Sequence, residues 1–152
     1  MPYEEAVEEA LCVGWIDSVG RVVDDERAIQ QFSPRRPGSG WARSNKERIE
    51  RLTAAGSMLP AGLAVVERAK QDGSWSRLDD VERLIVPADL GAALDAAPPA
   101  REAWEAFSRS ARRMLLVWLV EAKRADTRTR RIAEIASNAA RGEQPPAFRR
   151  RD

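Results

Sequence analysis

The chain of 152 residues contains no histidine and a single cysteine. Without histidine it lacks the commonest acid/base group near neutral pH, the Ser–His and Cys–His nucleophile pairs, and the usual zinc ligand. With Cys12 alone no internal disulfide can form, and its place between Leu11 and Val13 reads as a small buried apolar side chain. No apolar run is long enough to cross a bilayer, and no basic segment followed by an apolar stretch opens the chain. The sequence therefore predicts a cytoplasmic protein with no membrane span. A net charge is missing too: 25 basic residues nearly cancel 24 acidic ones, leaving +1, which argues neither for nor against nucleic acid. There is no internal repeat, no G-x-G-x-x-G, no P-loop and no EF-hand spacing. Asp24, Asp25 and Glu26 are adjacent in a turn and point in different directions. Ser44 and Lys46 are two apart and share no helix face. Nothing here implies a metal, a cofactor or an enzyme.

What is present supports an α+β fold, mostly helical, with a small N-terminal β-hairpin packed on helices and an all-helical C-terminal module. Hydrophobic residues make up 43% of the chain and tryptophan occurs five times, enough for a core. Residues 3–12, YEEAVEEALC, place Tyr3, Val7, Ala10 and Leu11 at helical spacing, and Gly14 is a stop. WIDSVGRVV at 15–23 and AIQQF at 28–32 read as a hairpin, which is marginal unless it packs on helices or pairs further. Ser44 with Glu47 three residues on forms a capping-box pattern that would open the next helix. A helix over 60–70 follows, then irregular chain over 74–86 anchored by Trp75, Leu78, Val81 and Leu84. Pro87 starts a short helix, the Pro98-Pro99 pair breaks it, and helices over 100–107 and 110–123 lead to a last one capped by Asp126 or Thr127. Ile132, Ile135, Ala136 and Ala139 mark the buried face of that helix. The expected organisation is a hairpin-plus-helices region over 1–86, a helical module over 87–142 and a flexible tail over 143–152.

Two features carry charge in a pattern. The stretch FSPRRPGSGW holds Arg35 and Arg36 between Pro34 and Pro37 and ends at Trp41. The prolines restrict the backbone, so the two guanidinium groups lose less entropy on engaging a ligand. Guanidinium groups match carboxylate or phosphate in a bidentate fork, and Trp41 could stack on a base or sugar. The plainer alternative pairs the arginines with acids of the same protein and puts Trp41 in the core. Charge is also asymmetric along the chain: residues 1–30 hold eight acidic and two basic side chains, and residues 109–131 hold eight basic and two acidic ones. Arg109, Lys123 and Arg128 belong to this basic region, which is either a nucleic-acid face or the partner of the acidic N-terminal helix. Asp17, at the start of the first strand, is expected to hold Arg35 or Arg36 across the hairpin.

The segments EEALCVGWIDSVGR, FSPRRPGSGWARSNKERIERL and SRSARRMLLVWLVEAKRADTRTRRI together resemble the bacterial YdeI/OmpD-associated, or bacteriocin-protection, family. The resemblance runs from Tyr3 to about Gly142. Trp15, Asp17, Arg35, Arg36, Trp41, Asn45, Arg109, Lys123 and Arg128 match its hallmark positions and are the candidate ligand-binding residues. The resemblance implies a stress- and bacteriocin-protection-associated protein with no enzymatic reaction or catalytic set. Two departures stand out. Ala111 replaces a residue that is often polar in similar proteins. The family also carries a helix-and-strand stretch ahead of the YEEA helix, so this chain is expected either to have a misassigned start or to lack part of the sheet. In the latter case the hairpin would pair with another subunit. The expected function is non-catalytic binding of an anionic small molecule or protein partner. The alternatives are nucleic-acid binding through the basic C-terminal helices and a protein–protein module, including a homodimer.

Overall fold

The computed structural model describes residues 1–25 and 27–149; Glu26 of the acidic turn and the end of the expected tail lie outside them. The fold is α+β and mostly helical, with one two-stranded antiparallel sheet among the described residues. The chain divides into two compact units, Met1–Asp79 and Asp80–Asp152.

The first unit begins with α1 (Tyr3–Cys12), whose Val7, Leu11 and Cys12 are buried while its glutamates lie outward. Tyr3 does not join that face: it is half exposed, and its hydroxyl donates to Asp17 at 2.7 Å. Gly14, at φ +80°, turns the chain where a side chain would be strained and would also meet Val65. The hairpin follows as β1 (Trp15–Val22) and β2 (Ala28–Pro34), paired Trp15 to Pro34, Ile16 to Ser33 and Asp17 to Phe32, with an irregularity between Asp17 and Gly20. Val19, Val22 and Ile29 remain exposed. The hairpin is anchored at its base, where Ile16 and Phe32 pack on a core of Val7, Leu11, Trp41, Ile49, Leu52 and Val66.

Two further helices complete this unit, α2 (Arg43–Ala54) and α3 (Pro60–Gln71). The capping box does not form. Ala42 occupies the N-cap position, so Ser44 already lies inside the helix, and no side chain caps this end. Trp41, only 2% exposed, fixes the point at which the chain enters α2. Glu47 instead reaches Arg43, one turn back, at 3.5 Å. Helix α3 crosses α1 at Gly62, where an added Cβ would lie 2.8 Å from the Cys12 carbonyl carbon and closer still to its oxygen. On α3, Val66 and Ala69 are buried while Leu63 is 44% exposed.

The short α4 (Asp79–Glu82) straddles the division between units. The second unit contains α5 (Ala88–Asp95), α6 (Ala100–Ala106), α7 (Arg109–Val120) and α8 (Ala125–Ala139). Helix α8 packs against α5, α6 and α7. Ile132, Ile135, Ala136 and Ala139 are buried, as the periodicity predicts, together with Asn138, and the apolar ones face a core that includes Leu90, Leu94, Trp104, Leu115 and Leu119. Helix α7 is capped by Ser108, whose hydroxyl accepts from the Ala111 N–H at 3.1 Å, so it starts one residue earlier than expected. Helix α8 starts at Ala125, ahead of both predicted caps, and Asp126 accepts from the Thr127 N–H at 2.8 Å from within the first turn.

Residues 143–149, expected as tail, are held against this unit. Pro145 is buried, Phe148 meets Trp118 edge-on at 5.2 Å, and Arg149 bonds Asn138 at 3.0 Å. Two prolines and one aromatic in QPPAF give this segment an apolar surface that composition alone does not reveal. No helix among the described residues is long and apolar enough to cross a membrane.

Candidate functional site

The loop between β2 and α2 is stiff, and the sequence around it says why. Pro37 and Gly38, at φ +74°, form a turn closed by the Ser39 N–H and hydroxyl, both bonded to the Arg36 carbonyl. Arg77 donates to the Gly38 carbonyl, and Gly38 in turn supports the Asp72 carboxylate, which the Ser74 N–H also reaches at 2.8 Å. These bonds hold the Asp72 carboxyl below its usual range, the Ser74 side chain contributing most. Gly40 lies so close to Leu78 that an added Cβ would come within 2.8 Å of its side chain.

Arg35 sits at the centre of this loop. Its N–H continues the hairpin by bonding the Gly14 carbonyl at 3.1 Å. Its guanidinium carbon lies 3.8 Å from the Trp41 ring centroid, and one terminal nitrogen donates to the Gly40 carbonyl. The Nε is buried and has no hydrogen-bond partner among the described residues. Among the described residues no carboxylate forms an ion pair with it. Burial lowers its pKa to about 10, with the more distant Asp17 charge acting in the opposite sense, so the group remains a cation at neutral pH. Arg36 is exposed and likewise has no carboxylate partner among the described residues.

The predicted Asp17 pair does not form. Asp17 lies opposite Phe32, while Arg35 lies one residue beyond Pro34, the partner of Trp15. Phe32 and Arg35 are three positions apart, an odd step that puts Asp17 and Arg35 on opposite faces of the ribbon. The Asp17 carboxylate is instead bound by Tyr3.

Beside the two arginines opens a concavity of about 410 Å³, formed by the hairpin base, the loop and the start of α2. Arg35 and Arg36 supply its charge, Ser33, Ser39 and Asn45 its polar groups, and Ile16, Pro34 and Leu78 its apolar wall. Asn45 is oriented by Arg48, which donates to its Oδ1 at 2.9 Å and is itself paired with Glu4 at 2.6 Å. The amide nitrogen therefore carries the donors that Arg48 does not use. Ala42 also lines the concavity, so the end of α2 that no side chain caps opens there. The first N–H groups of a helix need acceptors, and the dipole favours negative charge at this end.

Of the predicted site residues, Arg35, Arg36 and Asn45 come together. Trp41 is buried beneath Arg35, with Trp75 tilted against it at 5.0 Å between ring centroids, so it positions the guanidinium and is not open to a base or sugar. Trp15 and Asp17 do not line the concavity. Arg109, Lys123 and Arg128 belong to the second unit, where Arg109 donates to the Glu82 carbonyl at 2.7 Å and Arg128 binds both oxygens of Asp89 at 2.7 and 2.9 Å. That pairing holds the Asp89 carboxyl below its usual range and raises the Arg128 guanidinium. Arg113 pairs with Glu82, and Arg131 packs on Trp118 and bonds its carbonyl. The acidic N-terminal helix, expected to answer these arginines, uses Glu4 and Glu8 to bind Arg48 and Arg51 of α2. Sequence reasoning missed Ala42, Ser39 and Leu78. The stronger pattern at Ser44–Glu47 masked the role of Ala42, and no local signal marks Leu78.

Fold and site thus define a helical α+β protein with a cationic loop set over an uncapped helix end. Residues 83–142 match the family described as Bacteriocin-protection, YdeI or OmpD-Associated. Residues 1–65, which include the arginine loop, match a separate family described as Domain of unknown function (DUF8412). Searches of curated proteins and of solved structures each returned no match.

Proposed function

We propose that the first unit binds an oxyanion, carboxylate or phosphate, non-catalytically in the concavity beside Arg35 and Arg36. The family match over 83–142 suggests a function associated with bacteriocin protection; anion binding is the finer reading. The observation that carries it is the state of Arg35. A half-buried guanidinium, held over Trp41 with an unpartnered Nε, is a charge that no carboxylate of the described residues contacts. Arg48, Arg51, Arg113 and Arg128, by contrast, all have carboxylates. An incoming oxyanion would supply the missing counter-charge, and the uncapped end of α2 adds donors of the same polarity. Nucleic-acid binding through the C-terminal helices is the weaker alternative, because several of their arginines are already engaged within the second unit.

The test is a titration of the 15N-labelled full chain with inorganic phosphate, reading the arginine Nε–H resonances. The expected result is a saturable shift of the Arg35 Nε–H and of the Ser39 and Asn45 backbone amides, the amide shifts being lost in an Arg35→Gln, Arg36→Gln double variant. A shift that grows linearly without saturation, or one that survives the double substitution, would overturn the assignment. A parallel titration with short duplex DNA at two salt concentrations covers the other class. Strongly salt-dependent binding kept by the double variant would move the site to the second unit.

A further inference from the structure

The concavity is not built for a bare inorganic ion. Its charge lies on one side, with Arg35 and Arg36, while Ile16, Pro34 and Leu78 offer apolar surface alongside. At about 410 Å³ it falls within the range of sites that hold small organic molecules, well beyond what a phosphate fills. Ile16 and Leu78 are fixed rather than adaptable: Ile16 packs on the core, and Leu78 is buried against Gly40. The apolar wall is therefore pre-formed, as the cationic side is by Trp41 and the bonds to the loop.

We infer that the ligand is an amphipathic oxyanion, its charged head at Arg35 and Arg36 and a short hydrocarbon body along Ile16, Pro34 and Leu78. This rests on the anion-binding reading and adds the ligand class to it. The polar groups divide accordingly. Asn45, at the start of α2, serves the head, and the three apolar side chains exclude water from the body. The site is open to solvent, so the body is covered on one side only, and the gain per methylene falls short of full burial.

The test uses a series with one headgroup: inorganic phosphate, butyl phosphate and hexyl phosphate, titrated into the full chain by calorimetry. Each added methylene within the groove is expected to tighten binding about twofold, half the fourfold that complete burial would give. Ala42→Asp supplies a control that should fold, since aspartate is a favoured N-cap. Its carboxylate would occupy the end of α2 inside the concavity and repel the head, and binding of every member is expected to fall at least tenfold. Equal affinity for phosphate and hexyl phosphate would overturn the amphipathic assignment while leaving anion binding intact. Binding of no member would remove both. Chain-length dependence that persists unchanged in the Arg35→Gln, Arg36→Gln variant would show a purely apolar surface and overturn the inference, as would undiminished binding by Ala42→Asp.

Discussion

Replacing Arg35 by methionine separates stability from binding. Burial lowers the guanidinium's pKa to about 10, well below its ordinary value. A folded-state pKa below the unfolded value means the charged form is disfavoured in the folded protein. That penalty is fully present at neutral pH and is relieved only as pH rises through about 10 and beyond. The difference corresponds to at most about 3 kcal/mol, less after solvent screening at a half-buried site. Opposing it are the contact with Trp41, about 1–2 kcal/mol, and the bond to the Gly40 carbonyl, about 1 kcal/mol. Methionine keeps the apolar stem over the ring and removes the charge. The terms nearly cancel, so Arg35→Met is expected to lie within about 1 kcal/mol of the wild type. Removing one half of a buried ion pair would instead cost about 3–5 kcal/mol. Urea unfolding followed by tryptophan fluorescence measures this, with the Trp41–Trp75 pair directly beneath the substituted side chain. The phosphate-induced shift of the unfolding midpoint should vanish in the variant. A loss of 3 kcal/mol or more would mean that Arg35 is a structural keystone, and the reasoning that makes it a binding group would fail.

Three other perturbations probe the same logic elsewhere. Ala42→Asp should stabilise the unliganded protein by about 0.5–1.5 kcal/mol by capping α2, read as a higher urea midpoint; no gain would mean the helix end already has its acceptors. Gly62→Ala should destabilise the first unit by more than about 2 kcal/mol, because the new methyl meets backbone of Cys12 and Leu11 rather than a side chain that can move. Hydrogen exchange of α1 and α3 amides would report it, and unchanged protection would contradict that close crossing. In the second unit, Asp89 titrates below its ordinary 3.8 because Arg128 binds it, so its stabilisation is present above that value and is lost as pH falls through the lower folded pKa. Arg128→Met should raise the pH of acid unfolding seen by circular dichroism. The effect is small, under about 1 kcal/mol, since the pair is partly exposed; an unchanged acid midpoint would count against it.

Periodicity made much of this fold legible. Val7 and Leu11, or Ile132, Ile135, Ala136 and Ala139, recur at helical spacing because a helix must bury one stripe, and each stripe lies where that spacing puts it. Polar pairing was less legible, since it depends on which surfaces meet. Glu4 answers Arg48 and Asp89 answers Arg128 across 44 and 39 residues, distances over which no local rule operates. The expectation that Asp17 holds Arg35 or Arg36 depended on the strand register, which the sequence does not reveal; the register puts Asp17 opposite Phe32 and away from the face of Arg35. Phe148 was missed because an aromatic in a proline-rich end segment looks like tail until Trp118 is seen beneath it.

The capping box is the instructive failure. Ser44 and Glu47 carry the pattern, but a cap acts only where the helix starts, and that point was set by a tertiary fact, the burial of Trp41. Moving the start to Arg43 put alanine at the N-cap and turned two capping residues into ordinary helical ones. The same burial places the Trp41 ring under Arg35. One side chain thus sets both an uncapped helix end and an unpaired guanidinium on the rim of one concavity. A sequence optimised for stability alone would cap the helix and neutralise the arginine. That both remain open at one place is what a binding site costs, and it is why the failed local rule points to Ala42 as the position at which added negative charge should trade binding for stability.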